Sequence, residues 1–187
     1  MKKISILALS LFFFAACSSD QDDNQNPSDT SGDVVVKTEE VAQKECVTKT
    51  PKTVTGSSMA PLIPNGTETV LLENYYNCGN SVQVGDVVAY NFAGNKLPLI
   101  KRVFATDQDE VALEGGKVIV NGNEILNSAE KPYRFSTNEQ KMLGLYIKNG
   151  KIPKDSILIF GENPTNSDDS RKFGAVSTRD LFGKFEY

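Results

Sequence analysis

The sequence predicts a mainly β protein, an antiparallel β-sandwich or partial barrel with one or two short helices. Short β-branched runs recur beyond Val34 and are separated by Gly, Asn and Asp residues. Sustained helical periodicity is nearly absent from the same region. The chain has 187 residues, of which 39% are hydrophobic. It is therefore long enough for one folded domain and an appendage.

Residues 1–16 have the features of a secretory targeting segment. The chain begins with the positively charged MKK, and an apolar stretch follows from Ile4 to Phe14. A stretch of about eleven residues is too short to cross a bilayer core of about 30 Å. The sequence FAAC, which ends at Cys17, resembles the bacterial lipobox, in which the cysteine is acylated and becomes the mature N-terminus. An ordinary secretory signal with an incidental Cys17 is the alternative.

Residues 17–33 have the composition of an acidic tether. Ser18–Asp33 contains five Asp residues, no basic residue and no large apolar side chain, so it cannot offset the entropy lost on ordering. A flexible chain of this length has an end-to-end distance of roughly 20–25 Å. We therefore expect a lipoprotein anchored to a bacterial membrane, with a folded body, residues 34–187, that faces the periplasm or the cell exterior.

The folded body contains eight strand candidates and two helix candidates. Glu114–Lys117 joins two strands through two glycines, which permit the positive φ of a tight hairpin. One helix should begin at Ser136, where the sequence STNE matches a capping box. A weaker helix is predicted at Thr38–Lys44. The strand candidates are Thr53–Gly56, Thr67–Leu72, Asp86–Asn91, Leu99–Ala105, Glu110–Leu113, Lys117–Val120, Ser156–Phe160 and Leu181–Phe185.

The composition excludes several kinds of site. The chain has no histidine, which excludes a Ser-His-Asp triad, a Cys-His dyad and histidine-containing zinc sites. Three cysteines without a C-x-x-C pair exclude a four-cysteine zinc site and a thioredoxin-like centre, and we expect no metal and no cofactor. A net charge of −4 and a pI near 5.0 disfavour nucleic-acid binding.

The cysteines also bear on stability. If Cys17 carries lipid, Cys46 and Cys78 remain as a pair in an oxidising compartment. A disulfide between them would close a loop of about 30 residues and stabilise the fold by roughly 3–4 kcal/mol. Two buried free thiols are the alternative.

Ser58 and Lys101 are the candidate catalytic pair. In the sequence GSSMAP, Gly56 permits close approach of a substrate backbone, and Pro61 forces a turn that lifts one hydroxyl out of the sheet. Lys101 lies in an apolar strand, where desolvation would lower its pKa and make it a general base. A turn-forming serine and a lysine that reaches solvent are the alternatives. A third motif, Gly161–Gly174, has the composition of a solvated loop.

Taken in order, these motifs resemble the characteristic boxes of the type I signal peptidase family, whose members are serine peptidases with a Ser/Lys dyad. The resemblance extends from about residue 52 to residue 187. It implies the signal peptidase fold and the removal of signal peptides from exported preproteins at small-x-small sites, and the expected assembly is a monomer. The matching segments are Gly56–Pro61, Gly85–Val88, Lys101–Val103, Val118–Gly122, Ile152–Asp155, Gly161–Gly174 and Phe182–Lys184.

Carried over residue by residue, the resemblance makes Ser58 the nucleophile, with its backbone N–H as one oxyanion donor, and Lys101 its general base. The second oxyanion donor stays open, because Gly56 stands where some members have a side-chain hydroxyl. Ser167 matches the serine that orients the lysine amine. The matching ion pairs are Asp169 with Arg171 and Arg102 with Glu162, where the family usually has Asp.

The resemblance also implies how a substrate binds. An extended peptide would add as a strand near Val54–Gly56 and Pro98–Ile100. Shallow pockets around Met59 and Ile100 would accept only small side chains, which is the family's Ala-x-Ala preference.

Three alternatives to a general signal peptidase stay open. A specialised relative would process a narrow substrate such as a pilin or a conjugation protein. A self-cleaving peptidase of the repressor type is disfavoured by the acidic tether and by the lack of a DNA-binding half. A catalytically idle lipoprotein that binds peptides is disfavoured by the presence of both Ser58 and Lys101.

Overall fold

The computed structural model describes residues 46–93 and 97–187. The targeting segment, the tether and the predicted helix at Thr38–Lys44 lie outside these residues and remain predictions. Two antiparallel sheets dominate the described part of the chain, which confirms the mainly β prediction. No helix in these two ranges is both long and apolar enough to cross a membrane.

The elements follow one another along the chain in short segments. The strands are β1 (Thr48–Thr53), β2 (Glu68–Glu73), β3 (Val87–Tyr90), β4 (Leu99–Thr106), β5 (Val111–Glu114), β6 (Lys117–Val120), β7 (Asn123–Glu124), β8 (Ser156–Phe160), β9 (Val176–Ser177) and β10 (Leu181–Glu186). The α-helices are α1 (Thr137–Tyr146) and α2 (Ser170–Phe173), with 3-10 turns at Tyr76–Cys78 and Thr178–Asp180.

The main sheet contains most of the strands. Its seven strands have the order β1-β2-β10-β3-β4-β8-β9, and β5-β6-β7 form the second sheet. Strand β4 is an interior strand of the main sheet, between β3 and β8. Its pairing with β8 begins at Arg102, opposite Phe160, so the earlier residues Leu99–Lys101 have one edge without a strand partner in the described part of the chain.

The predicted strand at Thr53–Gly56 is wrong, because the observed strand β1 ends at Thr53 and extends upstream instead. Strand β1 lies at the edge of the main sheet, pairs with β2 alone and is mostly exposed. An exposed edge strand lacks the alternation of polar and apolar residues on which the prediction depends, and it tolerates Pro51. The two-residue strands β7 and β9 were also missed.

The predicted hairpin and the predicted capping box are both confirmed. Strands β5 and β6 pair from Val111–Val120 to Glu114–Lys117, with two positive-φ glycines between them. Ser136 caps α1: its N–H lies 2.8 Å from Glu139 Oε2, and the Glu139 N–H donates to Ser136 Oγ at 3.4 Å. Both results follow from local chemistry that acts within four residues.

The hydrophobic core covers both faces of β3, β4 and β8. Alternate residues of β3 belong to two different clusters: Val87 packs with Met59 and Ile63, whereas Val88 packs with Val103 and Ile159. A third cluster joins β4 and β8 to the second sheet. Apolar clusters therefore pack against both faces of the sheet at β4.

The structure joins Cys46 and Cys78 in a disulfide, with 5.9 Å between their Cα atoms. Cys46 lies just before β1, and Cys78 ends the first 3-10 turn. The disulfide therefore ties the start of the described body to the connection between β2 and β3.

Candidate active site

Ser58 and Lys101 lie together, although 43 residues separate them in the sequence. The Lys101 Nζ–Ser58 Oγ distance is 3.2 Å, and Nζ also donates a hydrogen bond of 2.8 Å to the Ile100 carbonyl oxygen. These two contacts fix the amine against the serine hydroxyl. A nucleophile and a base within hydrogen-bond reach are the geometric requirement for nucleophilic catalysis.

The Lys101 side chain is buried, with 2% of its surface exposed. Burial lowers the pKa of Lys101 to about 8, although the nearby carboxylates of Asp169 and Asp168 oppose the shift and Arg171 adds to it. Desolvation is the dominant cause, because water no longer solvates the ammonium form. A sizeable fraction of the amine is therefore neutral at mildly alkaline pH and able to accept a proton.

The turn after β1 presents Ser58. Gly56 has a φ of 93°, which favours glycine, and its N–H donates to Asn65 Oδ1 at 2.9 Å. The next side chain after Ser58 is Met59, which is 1% exposed and packs beside Ile63. The buried Met59 anchors the turn and leaves Ser58 half-buried at the surface.

The segment after β8 folds against this turn. The Asn163 N–H donates to the Ser58 carbonyl oxygen at 3.0 Å. Gly161 comes so close that a Cβ there would lie 2.7 Å from the Ser58 carbonyl oxygen and 2.2 Å from Ser167 Oγ. Ser167 Oγ is buried and makes no hydrogen bond to any residue that the structure describes. Ser167 is thus beside Ser58, but no hydrogen bond joins its hydroxyl to Lys101.

Gly161–Gly174 has the composition of a solvated loop, but several of its polar side chains are buried. Glu162, Asp169, Ser170 and Arg171 are all buried, and α2 begins within the segment. Polar composition suggests exposure to solvent, but these side chains form hydrogen bonds with one another and with the backbone instead of with water. The Ile159 N–H, for example, donates to Ser170 Oγ at 2.9 Å.

Two ion pairs, each with a buried carboxylate, frame the segment. Arg171 Nη2 lies 2.6 Å from Asp169 Oδ2, and Arg171 Nε lies 2.8 Å from Asp169 Oδ1, so the pair is bidentate. The same carboxylate accepts from the Gly161 N–H at 3.0 Å. Arg102 Nε lies 2.6 Å from Glu162 Oε1, and the Glu162 side chain is fully buried.

A cleft of about 350 Å³ opens beside the pair. Gly56, Ser58 and Leu99 line it together with Lys101 and Ser167. Met59 and Ile100, the residues predicted to shape a substrate pocket, do not line this cleft. Both pack in the core cluster beneath the turn, where Met59 is buried and Ile100 is half-buried.

Sequence reasoning missed two polar residues behind the segment, Asn127 and Tyr133. Tyr133 Oη donates to the Gly161 carbonyl oxygen at 2.8 Å, and Asn127 Nδ2 donates to the Glu162 carbonyl oxygen at 3.0 Å. Both side chains are buried. Both residues lie between the Val118–Gly122 motif and the capping box at Ser136, and neither belongs to a motif, so the only signal in the sequence was a tyrosine in a polar segment.

The family model of signal peptidase, peptidase S26, matches residues 44–187. Signal peptidase I of Bacillus caldolyticus is 27% identical over 139 residues, which cover 72% of this chain and 75% of the relative. Signal peptidase IB of Staphylococcus aureus is 28% identical over 152 residues, which cover 74% of this chain and 76% of the relative. The crystal structure of a signal peptidase I from Enterococcus faecalis V583 aligns with 22% identity and a TM-score of 0.40, over 56% of this chain and 97% of that one. Because the family model matches most of its length, the chain belongs to the signal peptidase family, peptidase S26.

Proposed function

We propose that the protein is a membrane-anchored serine endopeptidase that removes signal peptides from exported preproteins at small-x-small sites. The observation that carries this proposal is the 3.2 Å contact between Ser58 Oγ and the buried Lys101 Nζ. Family membership supports the same reaction class. The close contact of both dyad residues favours a working peptidase over an idle peptide-binding lipoprotein.

The reaction begins with the neutral amine of Lys101. The amine takes the proton of the Ser58 hydroxyl while Oγ attacks the scissile carbonyl carbon, and the backbone N–H of Ser58 donates to the developing oxyanion. The C–N bond breaks, and the Lys101 ammonium returns the proton to the leaving amine. Water then attacks the acyl-enzyme ester and loses a proton to Lys101. The ester bond breaks, and Ser58 Oγ recovers its proton.

Ser167 and the two ion pairs have supporting roles in this proposal. Ser167 orients the amine in this proposal, and its buried hydroxyl, which has no hydrogen bond within the described residues, is free to do so. The pair of Asp169 with Arg171 holds the Gly161 N–H, and through it the segment that contacts Ser58. Each group acts on the geometry of the dyad and not on the reacting carbonyl.

The substrate binds as an added strand in this proposal. Leu99–Lys101 has an unpaired edge within the described sheet, because β8 pairs with β4 only from Arg102 onward. An extended peptide can form main-chain hydrogen bonds at such an edge, which places its scissile carbonyl beside Ser58. Gly56, which lacks a side chain, leaves room for the peptide on the opposite wall of the cleft.

The pH dependence of cleavage tests the proposal. The purified full chain should cut a preprotein with an Ala-x-Ala site, and kcat/KM should rise with pH through an apparent pKa near 8 and then level off. The sign follows from the mechanism, because only the neutral amine is a base, and the neutral fraction falls about tenfold for each pH unit below the pKa.

A matched preprotein with leucine in place of both small residues serves as the control and should not be cut. The proposal would be abandoned if no preprotein of a diverse panel were cleaved. A flat kcat/KM profile between about pH 6 and 10, the range in which this amine must titrate, would remove Lys101 from the role of base.

We also propose that Cys17, which lies outside the described residues, is the site of lipid attachment. Buried methylenes contribute about 0.8 kcal/mol each, so an acylated Cys17 should hold the protein on membranes through a high-salt wash. Cys17→Ser should abolish incorporation of radiolabelled palmitate and block processing of the targeting segment. Equal labelling of the wild type and Cys17→Ser, or no labelling of either, would refute the lipobox assignment.

A further inference from the structure

The segment between β7 and α1 contains a buried tyrosine, Tyr133. Tyr133 is 1% exposed, and its ring packs against those of Phe104 and Phe160 at centroid distances of 5.3 and 5.7 Å. Such packing leaves the ring one orientation. Burial raises the pKa of Tyr133, and Glu162 adds to the shift. The hydroxyl therefore stays protonated and acts as a fixed donor.

This donor is aimed at the backbone behind the nucleophile. Tyr133 Oη donates to the Gly161 carbonyl oxygen at 2.8 Å. Asn127 holds the next carbonyl, that of Glu162, and its own Oδ1 accepts from two backbone N–H groups, so its amide is also fixed. Two consecutive carbonyl groups are thus bound from one side by one segment.

The bound backbone in turn touches Ser58. On its other side, Gly161 is in van der Waals contact with the Ser58 carbonyl and with Ser167, because a Cβ at Gly161 would have no room there. The Asn163 N–H donates to that same Ser58 carbonyl at 3.0 Å. A displacement of Gly161 away from Tyr133 would therefore carry the turn of Ser58 with it.

We propose that Tyr133 is a positioning residue for the dyad: its hydroxyl fixes Gly161, and Gly161 fixes Ser58 against Lys101. The inference rests on the proposed function for its catalytic consequence, but not for its effect on Lys101 itself. Without the hydroxyl, the backbone at Gly161 should loosen, and water should reach the amine. Solvation restores the ammonium form, so the pKa of Lys101 should move back toward the ordinary lysine value of about 10.4.

Few other charged groups lie near the Lys101 amine, so a change in its pKa can be interpreted directly. Asp168, Asp169 and Arg171 face Lys101 from the segment after β8 and from α2. Glu139 of α1 and Lys172 of α2 also line the cleft. Tyr133→Phe changes none of these groups, so a shift in the pKa of Lys101 would report geometry and solvation alone.

The test is Tyr133→Phe in the purified full chain, with ¹⁵N-lysine NMR to titrate Lys101 and Lys101→Met to assign its signal. We expect the Lys101 titration to move upward by about one pH unit or more, and kcat/KM at about pH 7.5 to fall roughly tenfold in consequence. The loss should appear in kcat more than in KM, because the cleft walls are unchanged.

The matched control is Tyr76→Phe, which removes a hydroxyl that donates to Asp86 at 3.0 Å, away from the cleft. It should lower the thermal unfolding midpoint about as much as Tyr133→Phe, yet leave the Lys101 titration and kcat/KM as in the wild type. If Tyr133→Phe also leaves both unchanged, Tyr133 is only structural and the inference fails. If the titration shifts but no preprotein is ever cleaved, the positioning role stands and the proposed function fails.

Discussion

Lys101→Met should almost eliminate cleavage of a small-x-small preprotein, and Ser58→Ala should do the same. Both variants remove a member of a pair that works only as a unit, so kcat/KM should fall by roughly a thousandfold or more. The double variant should be no less active than either single one. Initial rates measured on one preprotein at about pH 9, above the apparent pKa of the wild type, provide the comparison.

Methionine keeps the volume of the buried Lys101 stem, so Lys101→Met should fold. It should also be no less stable than the wild type, because the folded state lowers the pKa of Lys101 and burial of the amine thus opposes folding wherever the unfolded chain is protonated. Lys117→Met, the same change in strand β6, should retain full activity. Substantial turnover by a folded Lys101→Met variant would sink the assignment of the dyad.

Gly161→Ala should lower kcat about a hundredfold, the scale expected when reacting groups move by about 1 Å. The added Cβ would lie 2.2 Å from Ser167 Oγ and 2.7 Å from the Ser58 carbonyl oxygen. Contacts this short are not tolerated, so the segment or the turn of Ser58 must shift. Single-turnover rates at saturating preprotein would show the loss in the acylation step.

Gly144→Ala is the matched control for this variant. The nearest atom to a Cβ at Gly144 is Leu113 Cδ1, at an ordinary contact distance of 3.9 Å, and its φ is not positive. Alanine favours the helix, so α1 should be slightly stabilised and activity unchanged. A Gly161→Ala variant with the single-turnover rate of the wild type would show that the close contact behind Ser58 does not matter for acylation.

The strands that the sequence predicted well are those whose surroundings are apolar. Strands β4, β6 and β8 contain β-branched runs that pack in the core, and this pattern is visible without knowledge of their partners. Strand β1 has no such pattern, because it is an exposed edge whose register is set by pairing with β2. Its position depends on long-range hydrogen bonds, which residue composition does not reveal.

In the site too, local sequence features were predictable and long-range contacts were not. Lys101 was recognisable because a lysine among apolar residues is unusual, and Ser58 because glycine and proline flank it. The burial of Glu162, Asp169 and Arg171 was not recognisable from composition, since a polar segment becomes a buried one only when its groups find partners elsewhere. The ion pair of Asp169 with Arg171 was predicted only through the resemblance to a known family.

If the chain is anchored through Cys17, as proposed above, the disulfide has a mechanical consequence. Without the bond, a force applied through the first 45 residues would act on β1. Its six residue pairs with β2 could then separate one after another. The covalent link from Cys46 to Cys78 offers the force a shorter route, directly into the connection between β2 and β3. Strand β1 would then lie outside the path of the load, and movement of the proposed anchor would not strain the turn that follows β1 and carries Ser58.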